Sequence, residues 1–234
     1  MQDPDARDGP LASREDESSR KHFLRAMGAA GAAGAAGVLL AACGGGDDKQ
    51  PAATTKATPK GSNGGDIEIL NYALTLEYLE ADFYDQVVRS GVVKDRKVAD
   101  LAKRIGEAEQ AHVGALEVAV RGLGGKTATK PKTAFEDVLA GGPKKVLEAA
   151  AMVENLGAAA YLGQAGRIQD KKILAAALSI HSVEARHAAA INALVGNDFK
   201  GSGPLVGSLP DGAFAKPMAM DKVLEAVQPF IAKA

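Results

Sequence analysis

Apolar residues recur at helical spacing through four long stretches between residues 66 and 196. The first predicts a helix from Asp66, read as its N-cap, to about Ser90, with Leu70, Leu74, Ala81, Tyr84 and Val88 on one stripe and Gly91 as a stop. The second starts at Asp95, carries Val98, Leu101, Ile105, Ala108, Leu116 and Val120 inward, and ends at Gly124. The third opens at Pro143, which suits a first turn, and places Leu147, Ala151, Ala158, Tyr161 and Ile168 on one face. The fourth runs from near Asp170 through Ile173, Leu174, Ala177, Ile191 and Leu194 to Gly196. Each is about 25 residues long and polar on its other face, so each must bury a stripe against neighbours. Short connections pair them as two antiparallel hairpins. Between the hairpins, GGKTATKPKTAFEDVLAGG (124–142) is long enough to run the length of a bundle. After Gly196 an irregular stretch leads to a short amphipathic helix, capped by Asp221, with Val223, Leu224, Val227 and Phe230 inward, as a lid or docking element. The predicted fold is all-α: an antiparallel four-helix bundle with a long crossover between helices 2 and 3 and a short C-terminal helix.

The chain before residue 66 lacks this periodicity. SRKHFLR (19–25) is followed by an apolar, Gly/Ala-rich run and by LAAC (40–43), the order of a secretory signal peptide; the run is too weakly hydrophobic for a lasting membrane span. LAAC resembles a bacterial lipobox, in which Cys43 is acylated and becomes the first residue of the mature chain. SRKHFLR resembles the twin-arginine export motif with Arg20-Lys21 in place of two arginines, so twin-arginine and general secretory export both stay open. Residues 44–65, rich in Gly, Thr, Pro and Lys, read as a flexible linker. The expected organisation is a leader over 1–43, a linker over 44–65, a bundle over 66–196 and a tail over 197–234. The expected location is outside the cytoplasm, on the membrane through lipidated Cys43.

Composition narrows the partners. A net charge of -1 excludes the basic excess that would mark a nucleic-acid binder. Aromatic residues make up 4% and tryptophan is absent, which suits closely packed helices. One cysteine excludes both a disulfide framework and a thiolate metal site.

Ionisable residues interrupt each apolar stripe near its middle: Glu77 in the first helix, Glu109 and His112 in the second, Glu154 in the third, Glu184 and His187 in the fourth. Burying four carboxylates at one level demands cations. The spacing does place them at one level, each about 24 Å from its hairpin turn at 1.5 Å per residue. Tyr84 follows Glu77 by seven positions and Tyr161 follows Glu154 by seven, so the two hairpins look like a divergent duplication. Glu and His three apart share a helix face and can bind one ion together, while the single glutamates of the other two helices can bridge a second ion to the first. Hard carboxylates with one imidazole per metal suit Fe or Mn. Neighbouring residues compete for roles. Glu80, three after Glu77, can be a ligand or support one, but its counterpart in the repeat is Gly157, which favours Glu77. His181, one turn before Glu184, can be an extra ligand or a proton relay, but it has no counterpart in the second helix, which favours a hydrogen-bonded histidine in the core or beside the ligands. Tyr84 and Tyr161 can hydrogen-bond a ligand, with core packing the simpler role. Glu107 and Glu117 fall off the stripe and should be solvated.

As a set, NYALTLEYLEADFY, EAEQAH, VENLGAAAYLG and SVEARHAAAI resemble the four helix motifs of the ferritin-like superfamily, in particular bacterial ferritin-like domain proteins that group with plant desiccation-related proteins. The resemblance implies a dinuclear iron or manganese site with Glu77, Glu109, His112, Glu154, Glu184 and His187 as ligands. Members of the superfamily include ferroxidases, peroxide-reducing rubrerythrins and manganese catalases. O2 or peroxide are therefore the small-molecule partners to expect, and a homo-oligomer is an open arrangement. Membership does not fix the reaction, so a redox enzyme and a non-catalytic envelope or stress protein with a structural metal both stand.

Overall fold

A computed structural model describes residues 64–197 and 214–232. Helix α1 is Gly64–Ser90, α2 Arg96–Gly122, α3 Glu136–Ala140, α4 Gly142–Ala165, α5 Lys171–Leu194 and α6 Met220–Val227, followed by a 3-10 turn at Gln228–Phe230. The predicted all-α bundle is observed: α1 pairs with α2 and α4 with α5, while α1 faces α4 and α2 faces α5. The expected signal peptide, the lipobox-like LAAC with Cys43 and residues 44–63 of the expected linker lie outside the described residues, while its last two, Gly64 and Gly65, already belong to α1. No helix among the described residues is long and apolar enough to cross a membrane.

Local chemistry sets the boundaries. The Asp95 carboxylate accepts from the Val98 N–H and caps α2, and Asp170 caps α5 through the N–H groups of Lys172 and Ile173. Pro143 sits in the first turn of α4. Gly91 takes φ +57° in the α1–α2 turn, a conformation open to glycine at little cost. Two capping expectations are corrected. Asp66 does not cap α1, which starts at Gly64; it is buried within the first turn, and its carboxylate accepts the Gln169 and Asp170 N–H groups at 2.9 and 2.8 Å. It thus holds the α4–α5 turn against the start of α1. Asp221 does not cap α6 either: Ala219 holds that position without a side-chain bond, and Asp221 lies in the first turn.

The crossover follows α1 from Asn71 to Gln86. Asn71 exchanges hydrogen bonds with Lys126 and Ala128, Lys130 pairs with Asp82, and Thr133 bonds to Asp82 and Gln86. The crossover then forms α3, a short helix that no strong period announced. Phe135 is fully buried and stacks on Phe230, tying the C-terminal segment to the crossover. That segment docks: the Met218 N–H bonds to the Ala159 carbonyl, and Val223 and Val227 are buried.

Three residues read as inward are exposed. At the end of α1, Val87 turns inward and Val88 is 46% exposed; Leu194 lies at the end of α5, beyond Ile191; and Leu224 lies a helical step off the face that Val223 and Val227 define. The interior holds two apolar clusters, one around Phe83, Phe135 and Leu156, the other around Leu74, Val120 and Ile173. Between them lies a polar layer.

Candidate metal centre

That layer is built from one short segment of each long helix. Glu77 comes from α1, Glu109 and His112 from α2, Glu154 from α4, and Glu184 and His187 from α5; all four carboxylates are at most 1% exposed. The structure brings all six together as two overlapping groups. Glu77, Glu109, His112 and Glu184 offer one ligand atom each within 4.8 Å of one another, and so do Glu109, Glu154, Glu184 and His187. Glu109 and Glu184 belong to both. The shared carboxylates are therefore those of the two Glu-x-x-His pairs, whereas the spacing had suggested the single glutamates Glu77 and Glu154 as bridges. The reason is position: Glu109 lies between the imidazoles, with Oε2 at 2.8 Å from Nδ1 of His112 and Oε1 at 2.9 Å from Nδ1 of His187.

His112 is hydrogen-bonded through Nδ1 to Glu109 at 2.8 Å and to Glu77 at 3.2 Å, but the other half of the layer is less satisfied. Nδ1 of His187 comes within 3.3 Å of a Glu154 oxygen and still closer to Glu109, yet it makes no aligned hydrogen bond to either. Among the described residues, the buried side-chain atoms without a hydrogen-bond partner are the Tyr72 hydroxyl, Oε1 of Glu109, Oε2 of Glu154, both oxygens of Glu184 and Nδ1 of His187. All but the first belong to the six-residue set. Leaving such groups unsatisfied costs about 1–3 kcal/mol each, more when charged, and a concentration of them in one layer is compatible with a ligand set. Four carboxylates and two imidazoles fit two divalent cations in charge and in hardness.

The outer contacts obey the same twofold pattern. The Tyr84 hydroxyl of α1 donates to Oε1 of Glu154 in α4, and the Tyr161 hydroxyl of α4 donates to Oε1 of Glu77 in α1, both at 2.5 Å. Each tyrosine thus fixes the carboxylate of the opposite hairpin, a role beyond packing. Burial and the adjacent glutamates hold both phenols well above their usual range.

Burial also pushes the carboxyls of Glu80, Glu154 and Glu184 up, and raises Glu77 to about 7 against the opposing pull of His112. Glu109 goes the other way: burial is outweighed by its contacts with the two imidazoles, which bring it down to about 2. The imidazoles respond in kind. Burial opposes their charge, but the Glu109 and Glu154 carboxylates raise His187 to about 10, and Glu77, Glu109 and Glu184 raise His112 strongly. Without metal, then, the layer balances itself by holding protons.

Other residues fall outside the two groups. His181 is bonded through Nδ1 to the Ala158 carbonyl at 3.0 Å. Glu80 is buried beside Glu184 but is a member of neither group. Glu107 is exposed, whereas Glu117 is half-buried and accepts the Tyr78 hydroxyl at 2.6 Å. The sequence reading missed Asn155 and Asn192, a fully buried pair linking α4 to α5 directly beside Glu154. An asparagine amid alanines carries no period, and only its place next to a site glutamate hints at it.

A family model for the ferritin-like domain matches residues 65–197. No curated protein matches the chain.

Proposed function

The chain belongs to the ferritin-like domain family, and on that premise we propose that it is an exported, lipid-anchored protein with a dinuclear Fe or Mn centre that reacts with O2 or peroxide. The observation that carries this reading is the pair of overlapping four-ligand groups sharing Glu109 and Glu184. A shared carboxylate holds two ions close enough to act on one small molecule. Two such ions would supply the electrons, one from each. The protein's own residues do the rest. Glu109 and Glu184 set the separation, His112 and His187 complete one group each, and Tyr84 and Tyr161 hold Glu154 and Glu77 in the orientation that binds. The apolar clusters on either side keep bulk water out, which strengthens every charge interaction in the layer.

The test is turnover by purified protein carrying a filled site. Oxidation of added Fe(II) by O2, or disproportionation or reduction of peroxide, is the expected result, and a filled site that does neither sinks the redox reading. One observation favours a second reading: the ligands come from all four long helices, so an ion here would also tie the bundle together. In that case metal would raise the melting temperature strongly while turnover stayed absent.

The address is proposed from LAAC and the run before it. Cys43 would carry the lipid, and the tether of residues 44–63 would separate the bundle from the membrane. Cys43→Ala should release the protein from the membrane fraction and abolish incorporation of labelled fatty acid. Continued labelling would remove the lipobox from the account.

A further inference from the structure

The two ends of the bundle differ in charge. At one end α1 begins at Gly64, Asp66 holds the α4–α5 turn against it, and the chain leaving α2 returns to α1 at Lys126. Lys126, Arg167, Lys171 and Lys172 are exposed there, and none is in an ion pair among the described residues. The acids of this end are mostly engaged. Asp66 is buried on two N–H groups, Asp170 caps α5, and Glu117 pairs with Arg121, which leaves Glu68. The opposite end is balanced: Arg89 pairs with Asp85, Lys144 with Glu148, and Glu136 and Asp137 are exposed near them.

An apolar group joins the basic end. The Met218 carbonyl lies against Gly163, in the last turn of α4, and four residues before Met218 the Phe214 ring is 88% exposed, next to exposed Lys216. Cations around an exposed aromatic suit a phospholipid surface, where the ring leaves water and the cations meet phosphate. The preceding chain enters at this same end. Between Asp48 and Gly64 it carries Lys49, Lys56 and Lys60 and no acid.

We propose that this end of the bundle docks on an anionic phospholipid surface through Lys126, Arg167, Lys171, Lys172, Lys216 and the Phe214 ring. For its place of action the proposal rests on the lipid-anchor reading above. A flexible tether from Cys43 to Gly64 keeps the bundle within roughly 25 Å of the membrane, so a weak attraction suffices. The tether limits how far the bundle strays, and the basic end sets how it sits. Docked in this way the helices stand upright, and the polar layer at Glu77 lies about 20 Å above the headgroups.

The test uses the unlipidated chain from residue 44 onward, which contains every described residue, sedimented with vesicles. At about 0.1 M salt it should bind phosphatidylcholine containing about one-third phosphatidylglycerol at least tenfold more strongly than phosphatidylcholine alone, and lose most of that binding at about 1 M. Lys171→Glu with Lys172→Glu places acids in the first turn of α5, where they suit the helix. Each basic residue near an anionic surface is worth about fivefold, so this pair should lower binding by about 25-fold or more. The same charge change at the opposite end, Lys94→Glu with Lys97→Glu, should cost less than about threefold. Phe214→Ala should weaken binding and leave its salt dependence in place. Equal binding to neutral and anionic vesicles overturns the proposal. So does an equal loss from the two double variants, which traces the attraction to net charge rather than to place. Self-association in place of vesicle binding gives this end to a second copy of the chain instead. Failure of Cys43 to take up fatty acid bears on the anchor alone, since the protein in this assay carries none.

Discussion

The Tyr161 hydroxyl stands 2.5 Å from Oε1 of Glu77, a residue of the other hairpin. Its mirror contact joins Tyr84 to Glu154 at the same distance. Each phenol therefore fixes the orientation of a carboxylate rather than merely filling the core. Tyr161→Phe and Tyr84→Phe should each lower metal affinity about tenfold while leaving helical content unchanged, since loss of such supporting contacts typically costs 10–100-fold. Competition against a chelator measures this. Equal affinities in wild type and both variants would reduce the tyrosines to packing.

The shared and unshared carboxylates should behave differently. Glu77 lies in one ligand group and Glu109 in both. Glu77→Ala should leave one ion per chain tightly bound, whereas Glu109→Ala should weaken both. Elemental analysis after dialysis distinguishes the outcomes, and loss of both ions from Glu77→Ala would contradict the overlapping arrangement.

Acidity has a defined sign here. In the metal-free protein Glu77 titrates at about 7, above its ordinary 4.5, and His187 at about 10, above its ordinary 6.5. A group whose folded pKa is raised stabilises fully below its unfolded pKa and loses that contribution as pH rises through the folded one. The melting temperature of the metal-free protein should therefore fall between pH 5 and 9, as the Glu77 contribution goes by about pH 7 and that of His187 declines toward pH 10. The lowered Glu109 acts only below its ordinary range, losing its contribution as pH falls toward 2. Ions must displace these protons, so affinity should rise with pH and binding should acidify a weakly buffered solution. Scanning calorimetry with and without metal reads both effects. A metal-free melting temperature that climbs from pH 5 to 9 would refute the protonated layer.

Asp66 gives a prediction about stability alone. Its carboxylate is the acceptor for two N–H groups of the α4–α5 turn, and it lies eleven residues before Glu77, about 16 Å along α1. Asp66→Ala should cost about 1–3 kcal/mol, seen as a lower urea midpoint, with metal stoichiometry unchanged. A wild-type midpoint would show that the turn holds without it.

What the sequence disclosed follows from periodicity. Long amphipathic stripes give the helices and their pairing, and Asp95, Pro143 and Asp170 mark starts because each local choice agrees with the fold. Asp66 misled because an aspartate near a helix start satisfies a capping rule locally, while its real partners lie more than a hundred positions away. Glu77, Glu109, His112, Glu154, Glu184 and His187 stood out as costly residues on apolar stripes, and the structure gathers them in one layer. Which carboxylates are shared depends on side-chain reach across four helices, and spacing along any one helix does not contain that. Gly157 was legible only as the blank opposite Glu80; the structure shows an oxygen of Glu80 and one of Glu184 lying over it.

The central claim is that the buried layer is a two-metal site. Anaerobic titration of the purified, metal-stripped bundle with Fe(II) and with Mn(II), followed by elemental analysis, tests it directly. The account predicts two ions per chain for at least one of these metals, lost together with the Glu109 and Glu184 carboxylates. Failure of both metals to bind, or binding that survives removal of both carboxylates, would contradict it.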